Sequence, residues 1–221
     1  MIQGARHEHA ESLNNAALEL GLEIEIILLR SENDVLNSKL DAIVLPGGES
    51  TTMRKVSETT GLLPSIFDYL EKNPSIPVLA TCAGAILLID PGLGRKPFLD
   101  AEVNRNSYGR QKDSFEANLK IMDLFIPPPL HESNSKEIII ERNHKPLLVN
   151  NDENHDDSTF FPGIFIRAPR FKKISATVEK VVFHEEEVVG MLQNSKLLLS
   201  FHPELTNNYL FHRWLLNQVK I

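Results

Sequence analysis

Apolar positions in the first hundred residues switch between two periods. Over residues 10–20 alanine and leucine recur at helical spacing, and Gly21 offers a left-handed stop. Residues 23–29 alternate glutamate with isoleucine before turning fully apolar, which predicts a strand, and Ser31 is placed to cap a short helix after it. Ala42-Ile43-Val44-Leu45 is a continuous apolar run closed by Pro46-Gly47-Gly48, the pattern of a buried parallel strand entering a tight turn. Residues 62–70 predict a helix with Pro64 in its first turn, and residues 78–81 predict another short buried strand. Strand and helix signals in alternation argue for a doubly wound, mostly parallel sheet, in which ligands sit beyond the carboxyl ends of the strands. Pro46-Gly47-Gly48 and Cys82 both follow such ends, so they are expected to face one pocket.

From about Glu102 the pattern becomes strand-rich, with candidates at 138–140, 163–167, 178–183, 188–192 and 197–201. A last helix is expected over about 207–219, with Leu210, Trp214 and Leu215 on one face. Between Leu124 and Phe161 the sequence loosens into Pro127-Pro128-Pro129 and a polar run at 150–157. The expected organisation is a single domain over 1–221 with a surface insertion at about 124–160.

Composition narrows the function classes. A 221-residue chain that is 42% hydrophobic can bury the core of one large α/β domain. Its net charge, 23 − 30 = −7, lacks the basic footprint of a nucleic-acid binder. One cysteine rules out an intrachain disulfide and a cysteine zinc cluster. No apolar run is long enough for a membrane span, and Met1-Ile2-Gln3-Gly4 leads into charged residues, so the expected compartment is the cytoplasm, away from the membrane.

The candidate chemistry centres on Cys82. Taken alone it reads as a small buried hydrophobe. Its place after an apolar run and before Ala83-Gly84 reads instead as a strand–turn–helix elbow, which lifts a nucleophile above the sheet with helix N–H groups to favour its thiolate. The backbone N–H of Ala83, and that of Gly48 after the glycine turn, are candidate oxyanion donors. The glycine turn also reads simply as a tight bend followed by a helix capped by Ser50 or Thr51. His202 closes the apolar run 197–201 and Glu204 lies two residues on, so thiol, base and orienting carboxylate are all present. His7, His9, His131, His144, His155, His184 and His212 lie in polar or irregular surroundings and are assigned no chemistry. The run 46–52 lacks the Lys-Ser/Thr ending of a phosphate loop. No third ligand supports a metal site at His202 and Glu204, and the acidic run lacks calcium-loop spacing.

Six blocks occur in order: Leu45-Pro46-Gly47-Gly48-Glu49-Ser50-Thr51-Thr52, Thr81-Cys82-Ala83-Gly84, Arg105-Asn106-Ser107-Tyr108-Gly109-Arg110-Gln111, Ser114-Phe115-Glu116, Phe165-Ile166-Arg167-Ala168-Pro169 and Phe201-His202-Pro203-Glu204-Leu205-Thr206. Together they resemble the glutaminase subunits of pyridoxal 5′-phosphate synthase, which are class I (triad-type) glutamine amidotransferases. Cysteine with His-Pro-Glu is common to many triad amidotransferases; the Arg-Asn and Phe-Ile-Arg-Ala-Pro blocks are much more specific to the vitamin B6 branch and argue against a peptidase-like thiol enzyme. The resemblance implies a flavodoxin-like three-layer α/β fold and hydrolysis of L-glutamine, with Cys82 as nucleophile, His202 as base and acid, Glu204 orienting it, and Gly48 and Ala83 forming the oxyanion hole. Gly48, Glu49, Ser50, Arg105, Ile166 and Arg167 match glutamine-binding positions, and Gln3 matches a position near the subunit interface. No cofactor and no metal is implied. Ammonia would pass to a (β/α)8-barrel synthase subunit, which would also switch the glutaminase on. The family opens with an apolar strand just before the Gln-Gly-Ala segment; the sequence starts at Met1-Ile2-Gln3, so the sheet is expected to lack that first strand. The alternative this raises is a catalytically impaired homologue serving as a binding or regulatory subunit.

Overall fold

A computed structural model describes residues 4–92, 94–105, 107, 114–122, 124–130 and 160–219. Its elements are α1 (Arg6–Leu20), α2 (Glu32–Leu36), β1 (Ile43–Leu45), α3 (Ser50–Thr60), α4 (Leu62–Lys72), β2 (Val78–Thr81), α5 (Ala83–Ile89), β3 (Glu102–Asn104), β4 (Phe115–Ile121), β5 (Phe160–Phe165), β6 (Arg170–Lys172), β7 (Glu179–His184), β8 (Glu187–Gln193), β9 (Lys196–Leu199) and α6 (Leu210–Gln218), with a 3-10 turn at Pro203–Leu205. Among the described residues no helix is long and apolar enough to cross a membrane. The candidate strand at 138–140, most of the 124–160 insertion and Gln3 lie outside the described residues.

Seven strands form one sheet in the order β1-β2-β9-β8-β7-β4-β5, while β3 and β6 pair separately. Only β1–β2 and β2–β9 are parallel. The sheet is therefore mixed rather than mostly parallel. Two-residue connections after His184 and Gln193 return the chain on itself as hairpins, and such short links permit only antiparallel pairing. The parallel part carries the site. One apolar cluster packs α4 and α5 against one face of the sheet through Leu62, Phe67, Leu70, Leu87 and Leu88. The other packs α6 against the opposite face through Phe211, Trp214 and Leu215. The result is three layers.

Residues 22–30 differ from expectation: they belong to no strand. β1 pairs with β2 on one side, and no strand of the described residues adjoins its other side. A cavity of about 530 Å³ is lined by residues 22–29 and by β1, together with Leu62, Ile66 and Leu87 from one helix layer and Leu13, Leu215 and Leu216 from the other. An alternating sequence becomes a strand only when its backbone groups find a ladder, and residues 22–30 pair with no strand among the described residues.

Close contact of α5 with β1 depends on Gly84. A Cβ there would lie 2.0 Å from the Leu45 carbonyl oxygen and 2.9 Å from the Leu45 Cβ. The obstacle is backbone in a buried strand, so the helix has to move. Gly84→Ala is expected to cost about 1–3 kcal/mol, read as a fall of about 2–12 °C in Tm for a chain of this size. A Tm within 1 °C of the parent would show that α5 does not pack this tightly.

Candidate active site

Cys82 sits between β2 and α5 with φ 47° and ψ −105°, a left-handed backbone that is strained for a residue with a side chain. Its N–H donates to the Leu199 carbonyl at 2.8 Å, and its own carbonyl accepts from Ile86 N–H at 3.2 Å to begin α5. The elbow is thus held from both sides, and only 5% of the residue is exposed.

Parallel register brings His202 to it. Thr81 on β2 is opposite Leu199 on β9, so the chain leaving β9 runs beside the chain leaving β2. His202 N–H donates to the Ile164 carbonyl at 2.9 Å, which ties the segment to β5. Pro203 then opens the 3-10 turn that swings Glu204 back under the imidazole. His202 Nδ1 and Glu204 Oε1 are 2.7 Å apart, with Glu204 fully buried. That leaves the other ring nitrogen for the Cys82 thiol, one of the groups that act on the imidazole. Burial opposes charge on this imidazole, but the Glu204 carboxylate and the Cys82 sulfur outweigh it and raise its pKa well above the usual histidine value. Burial likewise opposes the Glu204 charge, yet His9 and His202 hold its pKa down to about 2.

The glycine turn closes the site. A Cβ on Gly47 would lie 2.3 Å from His202 Cε1 and 3.3 Å from Cys82 Cβ, so only glycine fits between His202 and Cys82. Gly47 N–H donates to Thr81 Oγ1 at 2.9 Å, and Gly47 O accepts from Ala5 N–H at 3.2 Å. Gly48 follows on the exposed rim, and buried Ala83 opens α5. Glu49, rather than Ser50 or Thr51, is the N-cap of α3. Its extended backbone aims the carboxylate at Thr51 N–H (3.0 Å), Thr52 N–H (2.6 Å) and Thr52 Oγ1 (2.7 Å), and the Thr52 hydroxyl leads in holding its pKa at about 2. Ser50 is buried in the first turn. The carbonyl of Ile166 lies 4.0 Å from Cys82 Sγ, and Arg167 follows at φ 49° on the exposed side. Arg105 is not brought to Cys82. Its guanidinium bonds Asp90 Oδ2 at 2.8 Å, and Asp90 caps the end of α5 opposite Cys82.

Three residues at this site were assigned no role from the sequence. His9 and His212 are buried, not in polar surroundings: their rings meet at 2.9 Å (Nδ1 to Nε2), and His9 Nε2 lies 3.1 Å from Thr81 Oγ1 and 3.4 Å from Glu204 Oε2. The sequence held a signal for the first. His9, Leu13, Ala16 and Ala17 are spaced four, seven and eight apart, so His9 extends the apolar stripe of α1.

A mixed three-layer α/β fold with a thiol elbow beneath a paired histidine and glutamate defines the class of the class I glutamine amidotransferases. A solved structure described as a glutamine amidotransferase superposes with a TM-score of 0.70 at 30% identity, covering 99% of this chain and 96% of that one. The profile of the SNO glutamine amidotransferase family matches residues 1–144 and 149–221, and the chain belongs to that family. It is 35% identical to the pyridoxal 5′-phosphate synthase subunit PdxT of Thermococcus onnurineus, over 98% of this chain and 95% of the relative. It is 36% identical to the protein of the same name from Pyrococcus horikoshii, over 99% and 96%.

Proposed function

We propose that this chain is a single glutamine amidotransferase domain that hydrolyses L-glutamine to L-glutamate and ammonia, and passes the ammonia to a (β/α)8-barrel synthase subunit making pyridoxal 5′-phosphate in the cytoplasm. Membership of the SNO family and the names of its relatives support the reaction and the pathway. The observation that carries the reading is the buried 2.7 Å contact of His202 with Glu204 beside the Cys82 elbow.

In this mechanism Cys82 Sγ attacks the side-chain amide carbon of glutamine while His202 takes the thiol proton. Glu204 fixes the imidazole and stabilises its charge. The backbone N–H groups of Gly48 and Ala83 receive the oxyanion. His202 returns the proton to the departing nitrogen, the C–N bond breaks and ammonia leaves a thioester on Cys82. Water, deprotonated by His202, then attacks the thioester; the C–S bond breaks, glutamate leaves and the thiol is regenerated.

Gly48, Glu49, Ser50, Arg105, Ile166 and Arg167 form the proposed glutamine-binding set. Glu49 keeps its charge even while capping α3 and can face the substrate ammonium. For the α-carboxylate Arg167 is better placed than Arg105, because it directly follows the Ile166 carbonyl that neighbours Sγ, whereas Arg105 is engaged with Asp90. Glutamate release from L-glutamine, measured with and without the cognate synthase, tests the reading. Turnover that rises with the synthase is expected; no turnover by folded chain in either condition would overturn it and favour a binding subunit.

A further inference from the structure

The triad carboxylate uses only one oxygen on His202. Glu204 Oε2 is fully buried without a hydrogen bond of its own and faces His9 Nε2 at 3.4 Å. Behind His9, its Nδ1 meets His212 Nε2 at 2.9 Å, while His212 Nδ1 is buried with no partner. Burial lowers the pKa of both rings, so each carries a single ring proton at neutral pH.

The two tautomers can be assigned by elimination. A proton on His212 Nδ1 would be a buried donor with no acceptor, a rare and costly arrangement. It would also oblige His212 Nε2 to accept from His9 Nδ1–H, leaving a bare lone pair on His9 Nε2 against the Glu204 carboxylate. With both protons on Nε2 the only group left unpaired on the two rings is the His212 Nδ1 lone pair, an acceptor rather than a stranded donor. His212 Nε2–H donates to His9 Nδ1, and His9 Nε2–H points at Glu204 Oε2 and at Thr81 Oγ1, 3.1 Å away. Thr81 Oγ1 also accepts Gly47 N–H, so the same hydroxyl anchors the glycine turn that holds His202 in place.

We propose that His9, fixed in its tautomer by His212, is a positioning residue for this triad, its Nε2–H holding the outer oxygen of Glu204 and steadying the Gly47 turn through Thr81. The chain of contacts then runs from α6 through α1 to the nucleophile: His212, His9, Glu204, His202, Cys82. The side chains facing His9 from the packed elements are Thr81 from β2, His202 and Glu204 from the segment after β9, and His212 from α6, with Glu8 beside it on α1. His9 is buried, 1% exposed, behind Glu204; its effect is on the geometry of the transition state, so it falls on kcat and not on glutamine binding.

The proposal rests on the glutaminase reading for its kinetic part only. Nitrogen-15 shifts of the histidines in the full-length chain, recorded above pH 7, are expected to show Nε2–H tautomers for both His9 and His212; an Nδ1–H tautomer at either one overturns the proposal, whether or not the chain turns over glutamine. In the complex with the synthase, His9→Leu is expected to lower kcat roughly 10- to 100-fold, the loss of the polar contact facing the buried carboxylate together with the hydrogen bond to Thr81, with KM changed less than threefold. His9→Gln, which keeps an N–H near the Nε2 position, is expected to recover most of that loss. Equal kcat in His9→Leu and wild type, or equal losses in the leucine and glutamine variants with both folded by circular dichroism, would overturn it. A silent wild-type complex is a separate result that sinks the glutaminase reading and leaves the tautomer result to decide the role of His9.

Discussion

Cys82→Ala is expected to abolish glutamate release in the presence of the synthase, by at least about ten-thousand-fold, as removal of the nucleophile does in other triad enzymes. Glutamine should still bind within a few-fold of the parent, because the substitution removes one sulfur from a residue that is only 5% exposed and leaves the Gly47 turn and the Ile166 carbonyl in place. Alanine inherits the φ of 47°, a strain no different in kind from that of cysteine, so the fold should survive. The imidazole should respond as well. Cys82 is one of the groups that raise the His202 pKa, so the variant should lower it, visible in an NMR titration of that ring. Turnover above a few percent of wild type would sink Cys82 as the nucleophile, and lost glutamine binding would mean that the thiol also holds the turn in shape.

The elbow at Cys82 and the pairing of His202 with Glu204 are legible in the sequence because each is local. Val78–Thr81 is an apolar run with no alternative to burial, and a thiol followed by Ala83-Gly84 leaves few readings besides an elbow. Gly84 is now explained by the Leu45 carbonyl against it, a contact no local pattern reveals. β3, β4 and β6 escaped because they are short or mostly exposed, with charged residues such as Glu102, Glu116, Lys120 and Lys172 on their open faces. Residues 22–30 show the opposite error, since alternation reports which face is buried, not whether a neighbouring strand exists to pair with. The pairing of His9 with His212 is not legible in the sequence because their neighbours along the chain are not their neighbours in space, where both are buried. They stand on helices from opposite ends of the chain, and only the packing of α1 on α6 brings the rings together. The same limit applies to Arg105, whose block is family-like while its side chain is bound to Asp90.

Glu204→Gln is the substitution that separates charge from shape at this site, and it is expected to lower kcat by roughly a thousand- to ten-thousand-fold. Glutamine fills the same volume, and its carbonyl oxygen can still accept from His202 Nδ1. What is lost is the negative charge that outweighs burial and raises the imidazole pKa, so His202 should titrate lower in the variant than in the parent. The amide also creates a conflict. With its oxygen on His202, its NH2 group faces His9 Nε2 across the 3.4 Å gap, donor against donor, so the variant should disturb the His9 tautomer too. Acid unfolding offers an independent reading. The Glu204 pKa is depressed in the folded chain, from 4.5 to about 2, so its charge contributes stability that is fully present above about 4.5 and is lost as pH falls through about 2. Between those limits the parent should lose stability more steeply than Glu204→Gln, which has no carboxylate there to protonate. Parallel denaturation curves from pH 5 to pH 2 would mean that Glu204 keeps an ordinary carboxylate pKa, and the charge argument for His202 would fall with it.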